Sequence, residues 1–283
     1  MIGTIVNLDF GKYLVYHQAQ IYSCHLRKTD KLLIKPVVGD HVEFDDHLNM
    51  ITSIHPRTTF IKRPRVSNLT DLIIVTSLVE PQYSFFLLAK FISFGRFYNL
   101  HITNIISKID QADPATFQDD LSYLQKHGFK VLFFNKFKPD PQALLSLIGA
   151  NKVIAFAGQT GVGKSTIINA LNPLFSRQIG TYSEALGRGK HQTKEVVLLP
   201  WLGGFIADTP GFSSLELPML QQDLAKVFPG FENQFSKCKF FNCTHQHEPG
   251  CKILQEVKSG KIPLGIYQDY LKMLQQLPEQ KEY

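Results

Sequence analysis

The run GQTGVGKST, Gly158 to Thr166, restricts the possible folds of this chain more than any other stretch. Its Gly158-x4-Gly163-Lys164-Ser165 spacing follows the apolar run KVIAFA and precedes the helix-like STIINALN. Strand, glycine-rich turn and helix in that order make a phosphate cradle. The glycines let successive backbone N–H groups face a β-phosphate, and the helix N-terminus adds positive potential. Gly158, Gln159, Thr160, Gly161, Val162, Gly163, Lys164, Ser165 and Thr166 would then line the nucleotide phosphates. Lys164 would reach the β- and γ-phosphates, and Ser165 would offer its hydroxyl oxygen to Mg²⁺. A ligand-free glycine turn is the bland alternative, but it gives Lys164 and Ser165 no task.

The surroundings suit such a loop. Between about Asp71 and Gly211, the strand-like runs DLIIVTS, ITNIISKID, KVLFF, KVIAFAG and GGFIADTPG are mostly separated by helix-like stretches such as TFQDDLSYLQKHG. Alternating strands and helices imply a largely parallel sheet covered on both faces, and EVVLLP fits an added strand. The first 66 residues differ: GTIVNLDFGKYLVY, QIYSCHL, KLLIKP, DHVEFDD and MITSIHPR alternate short apolar-polar runs with turn residues. That texture predicts a small all-β barrel or sandwich. Past Phe212 the chain turns helical and polar. The expected division is a β domain over 1–66, an α/β nucleotide domain over 67–213 and a helical tail over 214–283.

A formal charge of +6 and a pI near 9.0 lean toward an anionic partner. MIGTIVNLDF lacks a basic lead and a long apolar run, so no secretory signal is expected. The apolar SFFLLAKFISFGRFYNL is interrupted by Lys90 and Arg96 and reads as a buried helix, not a membrane span. Of four cysteines, three fall between Cys238 and Cys251. One such cluster points to a metal in a reducing cytoplasm rather than to a disulfide framework.

A guanine reader is a carboxylate that pairs with the ring N1–H and the exocyclic amine. Downstream of Ser165 nothing fits. Upstream, NIISKID closes a strand with Ser107-Lys108-Ile109-Asp110. Asp110 would read the base, and the stem of Lys108 would cover it. Alone, a Lys and an Asp at a strand end are ordinary surface residues. Asp208 to Gly211, DTPG, follows another strand: Asp208 would hold a Mg²⁺ water, and the Gly211 amide would sense the γ-phosphate. GRGKHQT lies between, where a first switch loop belongs. The reader therefore precedes the cradle and both switches follow it, the order of a GTPase cut and rejoined elsewhere. Compact domains tolerate this because their termini often lie close together.

CKFFNCTHQHEPGC supplies Cys238, Cys243, His245 and Cys251, three thiolates and one imidazole that make a closed tetrahedral shell for a structural Zn²⁺. An extended segment would point Cys243 and His245 the same way, and Gly250 can supply the bend before Cys251. His247 is a rival fourth ligand. The metal is expected to fix a small domain with little core of its own.

A permuted order, a β-barrel in front and a cysteine–histidine cluster behind resemble the ribosome small-subunit-dependent GTPase A family of RsgA-type proteins. The resemblance spans essentially the whole chain. It implies an OB-fold, a circularly permuted P-loop GTPase and a zinc-containing helical tail. It also implies GTP/GDP with Mg²⁺, and a late role in small-subunit (30S) assembly in which the subunit stimulates turnover and hydrolysis is coupled to release from rRNA. The family pattern favours His245 over His247 as the zinc ligand. It also assigns His191 to orienting the attacking water, since the position that often carries Gln holds Phe212. This chain departs from the family at Ser107, where Asn is usual; the shorter side chain is expected to bond less well to base and P-loop. His191-Gln192-Thr193 replaces the usual switch triplet, making Thr193 the candidate for Mg²⁺ with the register open by one residue. The usual Ser-Ala behind the base is not evident in FFNKFKPD, where Asn135 is a candidate substitute.

Arg57, Lys62, Arg63 and Arg65 crowd HPRTTFIKRPR with no acid among them, so RNA backbone contact or a solvated loop are both open readings. A cytoplasmic monomer with no membrane association completes the expectation. Two rivals stand beside it: an ATP-using P-loop enzyme, and a zinc-and-barrel RNA-binding module whose nucleotide site only regulates binding.

Overall fold

The computed structural model describes residues 1–9, 11–26, 34–171, 196–208, 212 and 215–279. The chain forms two compact units of discontinuous segments. One holds Met1–Ile73, Pro139–Phe156 and Lys164–Ser213; the other holds Ile74–Lys138, Ala157–Gly163 and Ser214–Tyr283.

In the first unit, β1 (Ile2–Asp9), β2 (Lys12–His17), β3 (Gln20–Leu26), β4 (His41–Asp45) and β5 (Met50–Ile54) close a barrel in the order β1-β2-β3-β5-β4. β1 pairs antiparallel with both β2 and β4, and β3 pairs parallel with β5, giving an OB-like barrel. Ile5, Val15, Cys24, Val42, Phe44 and Ile51 fill it, because period-two alternation turns them inward. The run KLLIKP lies partly outside the described residues, and its described end, 34–36, is not a strand. A short hairpin, β6 (Phe60–Lys62) and β7 (Arg65–Ser67), follows the barrel strands. It buries Ile61 and Val66 and exposes Lys62, Arg63 and Arg65.

Arg57 does not belong to that basic edge. Its Nε donates to Asp40 Oδ1 at 2.7 Å and its Nη2 to Asp40 Oδ2 at 2.8 Å, and the Asp40 side chain is 0% exposed. The Ser67 hydroxyl (2.6 Å) and the Val37 amide (2.8 Å) also donate to the same carboxylate. A buried carboxylate needs that many donors to offset its lost hydration. Arg57 is thus a structural partner of Asp40, and the acid was invisible in the local sequence because it lies 17 residues upstream.

The central strands are β8 (Asp71–Ser77), β9 (His101–Ser107), β10 (Val131–Phe134), β11 (Val153–Ala157), β12 (Val197–Trp201) and β13 (Gly204–Asp208), in the order β10-β9-β8-β11-β13-β12. Every residue of β8 is buried, as a central strand covered on both faces requires. β10 runs parallel to β9 with Phe134 level with Ser107, and β11 runs parallel to β13 with Ala155 level with Ala207. β12 adds antiparallel at the edge beside β13. Helices α3 (Pro141–Ile148) and α4 (Lys164–Leu171) flank β11 in sequence. Asp140 caps α3 by accepting from the Ala143 amide at 3.0 Å.

In the second unit, α1 (Phe85–Phe97) is the buried helix the apolar run predicts, with Leu88, Ala89, Phe91, Ile92 and Phe94 enclosed. Arg96 in its last turn pairs with Glu232. No helix of the described residues is long and apolar enough to cross a membrane. α2 (Gln118–Lys126) precedes β10, and the tail carries α5 (Gln221–Val227), α6 (Lys252–Lys258) and α7 (Leu264–Leu274). The tail has a real core, contrary to the expectation from its polar sequence: Phe228, Phe231, Tyr270 and Met273 are fully buried. Phe228, Phe231 and Tyr270 pack with ring centroids 4.8–5.2 Å apart. These aromatics are scattered in sequence and converge only when α7 folds back.

Candidate functional site

The loop after β11 and the loop after β9 meet inside the second unit. Gly158 has φ 138°, and a Cβ there would run into the Val75 carbonyl, so only glycine lets the loop leave β11 beside β8. Gly163, at φ 96°, closes the loop; a Cβ there would lie 3.9 Å from Ser107 Cβ. Val162 anchors the loop at 1% exposure and donates its amide to the Gln159 carbonyl at 3.5 Å. Lys164, Ser165 and Thr166 open α4, with Ser165 and Thr166 exposed. Lys164 is half-buried, and burial lowers its amine from the ordinary value, a cost that an anionic partner would reverse.

Ser107 is buried, and its hydroxyl donates to the Val162 carbonyl at 2.6 Å, with the Thr76 carbonyl at 3.1 Å. The shorter side chain therefore does reach the phosphate loop, across 55 residues of sequence. Lys108 adopts φ 59° and its Nζ donates to the Glu80 carbonyl at 2.5 Å. Ile109 packs on the cluster of Leu78, Ile106 and Leu121, which fixes the turn. Asp110 follows, with a side chain 10% exposed; Oδ2 lies 4.0 Å from Lys136 Nζ. Asp110 Oδ1 is buried with no hydrogen-bond partner among the described residues. A buried carboxylate oxygen without a donor is costly unless a ligand brings one. Together with the glycine cradle, that oxygen fits a ligand carrying phosphates at one end and paired N–H donors at the other.

Sequence reading missed the Glu80–Pro81 loop. Glu80 O holds Lys108, and it would lie 3.7 Å from a Cβ on Gly161. The available signal was position: this loop follows β8, whose neighbours in the sheet are β9 and β11.

In the first unit, the β11–β13 register puts Asp208 at the end of the strand beside the one that feeds the cradle, and the residue is exposed. Phe212 is fully buried, so the position that would carry a water-orienting Gln serves packing instead. His191, Gln192, Thr193 and Gly211 lie outside the described residues, as does the rest of GRGKHQT.

The tail brings Cys238, Cys243, His245 and Cys251 together, with one ligand atom of each within 4.8 Å of the others. His245 Nδ1 lies 3.6 Å from Cys238 Sγ and 3.4 Å from Cys251 Sγ. Its Nε2 donates to the Ala225 carbonyl at 3.2 Å, which fixes a tautomer with a free Nδ1 lone pair. His247 is exposed and outside the cluster. The expected extended segment is replaced by a turn: His245 has φ 59°, and this places its ring 0% exposed against Phe231. Burial lowers the imidazole and raises the Cys243 and Cys251 thiols. Three thiols and a neutral imidazole at this spacing are compatible with tetrahedral Zn²⁺. Glu248 braces the loop, accepting from the Thr244 amide (2.6 Å) and hydroxyl (2.8 Å) and from the Gln246 (2.8 Å) and His247 (3.0 Å) amides. Burial alone would raise its carboxyl, but these donors hold it at about 2.

Known proteins resemble this chain over nearly its whole length. A family model described as RsgA GTPase matches residues 54–218. The relative named Small ribosomal subunit biogenesis GTPase RsgA in Mycoplasmopsis pulmonis is 38% identical, over 98% of this chain and 100% of its own length. The protein of the same name in Geobacillus sp. is 35% identical, over 99% of this chain and 98% of its own. Among solved structures, YjeQ from Thermotoga maritima superposes with a TM-score of 0.82 at 26% identity, covering 99% of each chain. YloQ, described as a circularly permuted GTPase, gives 0.77 at 29% identity, covering 97% of this chain and 93% of its own. The strand–loop–helix of Gly158 to Thr166 thus lies in the fold of a circularly permuted GTPase, and the chain belongs to the RsgA GTPase family.

Proposed function

We infer that the chain hydrolyses GTP to GDP and phosphate as a factor in small ribosomal subunit biogenesis, with turnover stimulated by that subunit and coupled to release from its rRNA. The observation that carries this reading is the meeting of Asp110 and Gly158–Gly163 in one unit, tied through the Ser107 hydroxyl on the Val162 carbonyl. A P-loop alone accepts any nucleoside triphosphate; a buried acceptor oxygen beside it selects a base with paired donors.

In this reading Ser107, Lys108, Ile109 and Asp110 hold the guanine, and Gly158 to Thr166 hold the phosphates. Lys164 neutralises the β- and γ-phosphates, while Ser165 and Thr193 are the Mg²⁺ ligands and Asp208 orients a Mg²⁺ water. The bound Mg²⁺ supplies charge neutralisation on the transferred phosphoryl group. Gly211 senses the γ-phosphate, and His191 holds the attacking water when the small subunit is bound. Because Phe212 cannot hold that water, unaided turnover is slow. Cys238, Cys243, His245 and Cys251 bind one structural Zn²⁺ with no open position, so the metal shapes the tail and does no chemistry.

The working division is an OB-fold RNA-binding domain over 1–66, the permuted GTPase over 67–213 and a zinc-binding domain over 214–283. Exposed Lys62, Arg63 and Arg65 supply phosphate contacts on the first domain. On the third, Phe241 is 88% exposed beside Lys226 at 5.2 Å, an aromatic-and-cation pair suited to an unpaired base. The protein acts as a cytoplasmic monomer on the small subunit and its rRNA.

GTP turnover measured alone, with purified small subunits and with large subunits tests this. The expected result is a large stimulation by small subunits only. Equal rates in all three would remove the ribosomal role.

A further inference from the structure

The guanine edge presents two donors, N1–H and the 2-amino group, and beside them one acceptor, O6. Asp110 can satisfy the donors and nothing else. An O6 buried without a donor would give back much of what the carboxylate gains. The structure narrows where that donor comes from, given the reading of Asp110 above.

Most polar groups around the motif are already engaged. Lys108 Nζ is held by the Glu80 carbonyl at 2.5 Å, and the single hydroxyl hydrogen of Ser107 goes to the phosphate loop. Asn135, the sequence candidate for this place, accepts the Phe137 amide through Oδ1 at 2.9 Å, which ties its side chain to its own turn and leaves Nδ2 as a neutral rival donor. Lys136 is the charged donor at the carboxylate. The β9–β10 register sets Phe134 level with Ser107, so the turn 135–138 emerges beside the 107–110 turn. Lys136 Nζ lies 4.0 Å from Asp110 Oδ2, and among the described residues it is the one cation within ion-pair distance of that carboxylate. The Phe137 ring supports the ammonium from below, 4.7 Å from its centroid. Side by side at that separation, a carboxylate and an ammonium form an acceptor–donor array complementary to the guanine edge. Adenine offers an acceptor at N1 and an amine where O6 would be, so it faces a mismatch at both groups.

We propose that Lys136 is a second specificity-determining residue, donating to the guanine O6 while Asp110 accepts from N1–H and the 2-amino group. The Asn135 capping bond holds the turn, and Phe137 keeps the ammonium in place when no base is bound.

Calorimetric titration of the full chain with GDP and 6-thioguanosine diphosphate tests it. Sulfur at position 6 accepts weakly, while N1–H and the amine are kept. The wild-type chain binds the thio analogue about 10-fold more weakly than GDP. Lys136→Met lowers GDP affinity roughly 10- to 100-fold and no longer separates the two ligands, whereas Lys136→Arg restores the separation. If Lys136→Met weakened both ligands by the same factor, the lysine would be only a counter-ion to Asp110 and the proposal would fall. Unchanged GDP affinity in that variant would overturn it as well. Inosine diphosphate, which lacks the 2-amino group, and ADP test the Asp110 reading separately. Equal wild-type affinity for GDP, inosine diphosphate and ADP removes that reading and Lys136 with it. A preserved guanine preference with a silent Lys136→Met removes Lys136 alone.

Discussion

Ser107→Ala isolates the bond that ties the Ser107–Asp110 turn to the glycine loop after β11. The Ser107 side chain is 1% exposed, and its one hydroxyl hydrogen goes to the Val162 carbonyl at 2.6 Å rather than to Thr76 at 3.1 Å. Alanine removes that donor without a bulky rearrangement. A neutral buried hydrogen bond contributes about 0.5–1.5 kcal/mol, and stranding its acceptor costs about 1–3 kcal/mol, so a loss of about 1–2 kcal/mol is expected. Part of it appears as lower stability of the nucleotide-free chain and part as weaker binding, because the nucleotide must then hold the loop itself. If binding carries all of it, GDP affinity falls roughly 5- to 30-fold at about 1.4 kcal/mol per decade. If stability carries all of it, the melting midpoint drops by a few degrees, about 2–4 °C per kcal/mol. Calorimetric titration with GDP at fixed Mg²⁺, paired with a thermal melt, measures both. A change below two-fold in affinity together with an unmoved melt would show that this bond organises nothing.

Glu248→Gln should loosen the cysteine–histidine loop, since four donors converge on that carboxylate; about 1–2 kcal/mol, discounted for partial exposure, is expected from urea unfolding. The Glu248 carboxyl is depressed from 4.5 to about 2, so its contribution is fully present above pH 4.5 and is lost as pH falls toward 2. The stability gap between wild type and Glu248→Gln must therefore narrow across that window, and a constant gap would refute the assignment. Arg57→Ala should cost about 3–5 kcal/mol by stranding the buried Asp40 charge while leaving the salt dependence of RNA binding nearly unchanged; a fully stable variant with a shallower salt slope would reverse the roles. Chelation of bound metal should increase hydrogen exchange across 238–251 yet spare α5 and α7, because Phe228, Phe231 and Tyr270 hold those helices together; exchange that rose equally across the whole tail would show that the aromatic core is insufficient alone.

Local features were legible in the sequence, and those made by convergence were not. The cradle and its flanking strand and helix need only contiguous residues, so Gly158 to Thr166 could be read directly. QIYSCHL and DLIIVTS coincide with β3 and β8 because turn residues bound each β-branched or aromatic run. The Arg57–Asp40 pair, the aromatic core of the tail and the Lys136–Asp110 pair arise between segments far apart in sequence, where neither spacing nor periodicity carries a signal. His245 shows the limit of spacing arguments. Its place in the ligand set followed from the family pattern, but its left-handed backbone comes from the packing of the ring against Phe231 and the Ala225 carbonyl.

The most direct test replaces Asp110 by Asn and compares GDP with xanthosine diphosphate. An amide offers one donor and one acceptor, which suits the carbonyl and N–H of xanthine and clashes with the paired donors of guanine. Loss of GDP affinity by about 100-fold or more, from removing a charge-assisted pair and leaving a mismatched donor, with a gain for xanthosine diphosphate, is the expected outcome. If GDP binding and its preference over ADP survive that substitution unchanged, then a carboxylate encoded 48 residues before Gly158 does not read the base, and the permuted guanine site is wrong.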